Sequence, residues 1–153
     1  MPDIAGLHNC SQVFVPVVLL PVERFEDTLD PQWVGKPSNL QVLDALIDTG
    51  AQATSITEKA AKKLDLEPDG FMPVHGINGP SYQPSYIFKI GFVDLQANLL
   101  GFQQPMIHML DKEIVGPEFD CGAGADFDVL LGMDVLSIGT LTVSNTGQFR
   151  FTF

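Results

Sequence analysis

Positive charge is scarce in this chain. Eight Lys and Arg stand against 19 Asp and Glu, a net charge of −11, and the basic residues are scattered. Binding a polyanion requires clustered Lys and Arg, so nucleic acid is not an expected partner. Cysteine is scarce too, with Cys10 and Cys121 the only two. Two are too few for a disulfide framework, and their separation gives no zinc-ligand spacing. Free thiols in a reducing compartment are expected instead. The three histidines, His8, His75 and His108, are far apart and form no His-x-x-x-His pair. Long apolar runs are missing as well. The segment 13–22 is interrupted by Pro16 and Pro21 and is too short to span a bilayer. The opening residues, MPDIAGLHNC, have no basic stretch of the signal-peptide kind. No glycine-rich phosphate loop or Ser-His-Asp arrangement is visible. The expectation is a cytoplasmic protein without metal, cofactor or membrane partner.

What is present favours β-structure. A chain of 153 residues, 45% of them hydrophobic, suits one domain, 1–153, with its core from about residue 12. Val, Ile, Phe and Thr recur, punctuated by 14 Gly and 11 Pro. Residues 1–11 read as a loose tail. Residues 11–23 read as a strand whose prolines place it at an edge or a bulge. Residues 24–38 read as a loop with Trp33 as a packing anchor, and 39–47 as the next strand. Ser55 and Glu58 have capping-box spacing before a short helix ending at Leu64. Residues 71–92 form an expected hairpin that turns through Gly76-Ile77-Asn78-Gly79-Pro80. Strands over 94–100 and 103–110, then an acidic glycine-bearing loop over 111–127, come next. A short strand at 128–131 is ended by Gly132, a helical turn occupies 133–138, and a terminal hairpin folds around Asn145-Thr146-Gly147.

Asp48 stands out, because an apolar strand leads straight into it and Thr49, Gly50 and Ala51 follow. From these residues alone two readings stand: an ordinary turn aspartate in a β-domain, or a carboxylate kept for chemistry. Burying a carboxylate is costly unless something uses it or hydrogen-bonds it. Two carboxylates sharing one proton can hydrolyse a peptide without metal or nucleophile: one takes a proton from water while the other polarises the scissile carbonyl. Asp126 and Asp128 flank Phe127, yet no calcium-loop spacing follows them.

Leu46-Ile47-Asp48-Thr49-Gly50-Ala51 matches the Asp-Thr-Gly-Ala motif of retropepsin-like aspartic proteases, and the run VLLGMDVL at 129–136 looks like that family's second motif. With a glycine-turned hairpin between them, the chain resembles that family over about residues 39–139. The resemblance implies a mostly-β acid-protease barrel with one or two short helices. It implies an aspartic endopeptidase acting on a peptide or protein, with Asp48 as the catalytic acid. Thr49 would bond across to a partner subunit, Gly50 would offer its carbonyl to bound peptide, and Ala51 would pack near the acid. Leu131 and Gly132 would support the catalytic loop, and Gly76, Ile77, Asn78 and Gly79 would form a mobile flap. Asp134 is expected to cap the short helix. The chain holds one Asp-Thr-Gly, so a complete dyad implies a symmetric homodimer. Gln52 stands where many retroviral members carry a second acid, so the ion-pair network of that acid is not expected here. The part over 99–127 is longer than in minimal viral enzymes, and the terminal hairpin is similar to that of cellular and bacterial members. A non-catalytic peptide-binding or dimerisation module on the same fold remains the alternative.

Overall fold

The computed structural model describes residues 1–9, 11–22, 40–95, 106–120, 122, 124 and 126–153. The expected loop over 24–38 with Trp33, most of the expected strand 94–100, residues 103–105, and both cysteines lie outside the described residues. In chain order the elements are β1 (Asp3–Leu7), β2 (Phe14–Pro21), β3 (Val42–Ile47), β4 (Ser55–Ile56) and α1 (Glu58–Lys63). There follow β5 (Gly70–Gly76), β6 (Gly79–Asp94), β7 (Met106–Pro117), β8 (Val129–Leu131), α2 (Met133–Leu136), β9 (Thr140–Val143) and β10 (Gln148–Thr152). The protein is mostly β with two short helices among the described residues, as its composition implies.

A larger sheet runs β4-β8-β3-β2-β6-β5, with β7 also on β6, and a smaller one runs β1-β10-β9. The long β6 organises the larger sheet. Ser85 of β6 pairs with both Gly70 of β5 and Pro117 of β7, and Phe88, Lys89, Gly91 and Phe92 pair with both β2 and β7. One edge of β6 therefore carries β5 and then β2, while the other carries β7.

Four sequence expectations are corrected. Residues 1–11 are not a loose tail, because β1 pairs antiparallel with β10, from Asp3↔Thr152 to Leu7↔Gln148. Ile4 is buried, and Gly6 leaves room for the Phe149 ring, whose Cε1 would stand 2.7 Å from a Cβ there. The strand β2 is central rather than an edge. Its prolines are tolerated because Pro16 faces only β3 and Pro21 faces only β6, with Val17 and Val18 alone paired on both sides. The helix cap is Thr57, not Ser55. Ser55 and Ile56 are held in β4 against Leu130 and Val129, so the helix starts two residues later. Thr57 Oγ1 accepts the Ala60 N–H at 3.1 Å. Finally, 111–117 are strand rather than loop. They saturate the edge of β6 after a register shift between Lys89 and Gly91, opposite Glu113 and Met109.

The core joins the two sheets. Phe88, Phe92 and Phe151 are fully buried. The ring of Phe92 on β6 lies 5.4 Å from that of Phe151 on β10 and 4.8 Å from that of Phe153. Such tilted pairs add to the burial of each ring, itself about 1.5–3 kcal/mol.

Candidate active site

The strand entering Asp48 and the strand leaving its turn do not pair with each other. Between them lies β8, parallel to β3 (Ala45↔Val129, Leu46↔Leu130, Ile47↔Leu131) and antiparallel to β4 (Ser55↔Leu130, Ile56↔Val129). The segment 48–54 therefore arches past the end of β8. The Asp48 N–H donates to the Leu131 carbonyl at 3.0 Å, which extends the parallel ladder to the carboxylate. Leu46 pairs with Phe14 on one side and Leu130 on the other. These three side chains share one sheet face, and strand alternation returns Asp48 to it.

Asp48 is half-buried. Its Oδ1 accepts the Gly50 N–H at 2.8 Å, and its carbonyl accepts the Ala51 N–H at 3.2 Å. Two local bonds thus shape the turn. Gly50 matters for space: a Cβ there would stand 3.2 Å from Asp48 Oδ1. Thr49 and Gly50 are exposed and Ala51 is half-buried in the single chain.

Leu131 is fully buried and accepts the Asp48 N–H. Gly132 passes under the returning chain, where a Cβ would stand 2.5 Å from the Ala53 carbonyl carbon. Asp134 departs from its expected role. Gly132 is the cap of α2, and Asp134 Oδ1 instead accepts from the Thr54 N–H at 2.9 Å, the Thr54 hydroxyl at 2.7 Å and the Val135 N–H at 2.9 Å. Thr54 escaped the sequence reading because its partner lies 80 positions away.

A family model described as aspartyl protease matches residues 35–135. The chain belongs to this aspartyl protease family. No curated protein sequence matches the chain. Among solved structures it is similar to a retropepsin-like aspartic protease from Rickettsia conorii, with a TM-score of 0.54 and 14% identity over 98% of this chain and 90% of that one. At that identity the likeness carries the fold, and the fold is retropepsin-like.

The other candidate residues of this aspartyl protease separate into two groups. Gly76 pairs with Gly79 at the end of the β5–β6 hairpin, leaving Ile77-Asn78 as a two-residue turn. Gly79 has φ of +100°, a conformation that favours glycine, and Ile77 is fully exposed. Gln52 is exposed, and its carbonyl accepts the Asp134 N–H at 3.1 Å. Away from the turn, Asp128 accepts the Thr57 hydroxyl at 3.0 Å and pairs with Lys59 at 3.8 Å. The Asn145-Thr146-Gly147 triplet is the β9–β10 turn, with Gly147 at φ of +85°. His8 bonds the Ser144 carbonyl at 2.7 Å, His75 is exposed on the hairpin, and His108 lies edge-on to Phe153. No cluster of three potential metal ligands occurs among the described residues.

Proposed function

We propose that the protein is an aspartic endopeptidase that acts as a symmetric homodimer, each subunit supplying one Asp48. The observation that carries this reading is the placing of Asp48. It follows directly on β3, its N–H continues the ladder to β8, and its turn is shaped by the Gly50 and Ala51 N–H groups, in a chain with a single Asp-Thr-Gly. In the dimer the two carboxylates share one proton. The ionised one takes a proton from water as that water attacks the scissile carbonyl, and the protonated one donates to the developing oxyanion. Collapse of the tetrahedral intermediate breaks the C–N bond, with a proton passing to the leaving amine.

The chain's other residues fit supporting roles. Thr49 is exposed beside Asp48, and in this reading its hydroxyl bonds the partner subunit's turn. The Gly50 carbonyl, which accepts no hydrogen bond among the described residues, receives an extended peptide bound in strand fashion. Phe14, Leu46 and Leu130 form an apolar floor on the Asp48 face, which favours hydrophobic residues beside the scissile bond. The hairpin tip Gly76, Ile77, Asn78 and Gly79 serves as the flap that closes over substrate and excludes water. The scarcity of cysteine supports a cytoplasmic setting.

The test is cleavage of a peptide library from acid to neutral pH by the wild type and by Asp48→Asn. Wild-type cleavage with specific activity rising with concentration, and none by a folded, dimeric Asp48→Asn, is the expected result. Full activity in that variant, or in a protein that stays monomeric with substrate present, overturns the proposal.

A further inference from the structure

The turn bearing Asp48 is anchored at two ends. On the entering side the Asp48 N–H bonds Leu131. On the leaving side, the chain over 51–54 is tied to the start of α2. The Met133 and Asp134 N–H groups donate to the carbonyls of Ala51 at 2.8 Å and Gln52 at 3.1 Å. The Thr54 N–H and hydroxyl both donate to Asp134 Oδ1, at 2.9 and 2.7 Å. The Thr54 hydroxyl in turn accepts the Gly132 N–H at 3.1 Å. Only the bonds through Thr54 and Asp134 depend on side chains.

We infer that Asp134 is a positioning residue for Asp48, acting through Thr54 as a hydrogen-bond acceptor and not as an acid. This inference rests on the proposed catalytic role of Asp48. Thr54 has no exposed surface, so removing its acceptor takes the partner from a buried N–H and a buried hydroxyl. The chain relieves that loss most readily by shifting the segment 51–54, which is continuous with the Asp48 turn. A carboxylate displaced in this way meets its partner and the attacking water at the wrong distance. The three donors converge on one oxygen, Oδ1. An asparagine presents the same oxygen, so the negative charge is not what the clamp requires. The clamp is itself braced, because Lys112 Nζ on β7 donates to the Asp134 carbonyl at 2.7 Å.

The experiment compares Asp134→Ala, Asp134→Asn and Thr54→Val in the full chain, measuring kcat, KM, the pH profile and amide exchange over 48–54. For Asp134→Ala and Thr54→Val, kcat should fall about ten-fold or more with KM changed less than about two-fold, since a misplaced catalytic group costs rate before binding. The pH limbs should shift as the spacing of the two carboxylates changes, and exchange over 48–54 should accelerate. Asp134→Asn should restore most of kcat and the wild-type exchange. Should Asp134→Ala fail to fold, Thr54→Val carries the same comparison. Wild-type kcat and exchange in Asp134→Ala or Thr54→Val overturn the inference, and so does an Asp134→Asn as impaired as Asp134→Ala. A wild type that cleaves nothing refutes the proposed function, and the catalytic part of the inference with it. In that event the exchange data alone decide whether the clamp exists.

Discussion

Gly132 lies directly beneath Ala53, so close that a Cβ on the glycine would stand 2.5 Å from the alanine's carbonyl carbon and 2.7 Å from its oxygen. The glycine's φ of −92° is open to any residue, so the requirement is for space and not for conformation. What crosses above it is backbone, which cannot rotate aside as a flexible side chain would. Gly132→Ala should therefore lower stability by about 1–3 kcal/mol, the usual range for overpacking. Because the displaced segment continues into the Asp48 turn, peptide cleavage should fall further than stability does. Urea unfolding and a cleavage assay on the same preparation check both.

The aromatic cluster predicts how the smaller sheet is attached. Phe151 is fully buried, with its ring 5.4 Å from Phe92 and 5.2 Å from Phe153. Phe151→Ala should cost about 3–5 kcal/mol, the range for deleting a buried aromatic, and Phe151→Leu clearly less. Denaturant midpoints of the two variants measure the difference.

At α1 the cap Thr57 bonds in two directions. Thr57→Ala removes both the acceptor for the Ala60 N–H and the donor to Asp128. It should cost about 1 kcal/mol, typical for loss of a helix cap, and Thr57→Ser should recover most of it. Thermal unfolding of the pair is sufficient.

Tyr86 gives the protein an alkaline limit. Burial, and then the hydrogen bond its hydroxyl donates to Glu118 at 2.7 Å, push its phenol from the ordinary 10 to about 12. Below pH 10 the phenol is protonated in folded and unfolded chains alike, and its contribution to stability is fully present. Between 10 and 12 the unfolded chain releases the proton while the folded chain holds it, so stability falls as pH rises. Tyr86→Phe should cost about 1–3 kcal/mol near neutrality, where Glu118 loses its donor. It should also flatten the decline above pH 10. Melting temperatures of both proteins from pH 8 to 11 test the sign.

Much of the candidate site's local geometry was legible because its signals are local. Asp48-Thr49-Gly50-Ala51 sits on one turn, the Ile77-Asn78 turn is flagged by its flanking glycines, and Asn145-Thr146-Gly147 reads as a turn on its own chemistry. The misreadings share a cause. Residues 3–7 looked like a tail because their partner, β10, is at the other end of the chain. Ser55 looked like a cap because nothing nearby in sequence shows that β8 claims it for a strand. The acidic stretch 111–117 looked like loop because the edge it completes belongs to β6.

By itself, then, the sequence determined that the protein is mostly β, that an apolar strand delivers one carboxylate to a tight glycine turn, and which segments turn back on themselves. Each of these depends on side-chain alternation or turn chemistry within a few residues. The tertiary structure alone decided that β8 inserts between β3 and β4, that Gly132 must be small because Ala53 crosses it, and that Asp134 holds Thr54 rather than capping its own helix. Those are contacts between distant segments. They depend on close packing and on finding a partner for every buried donor, conditions set only when the whole chain is assembled.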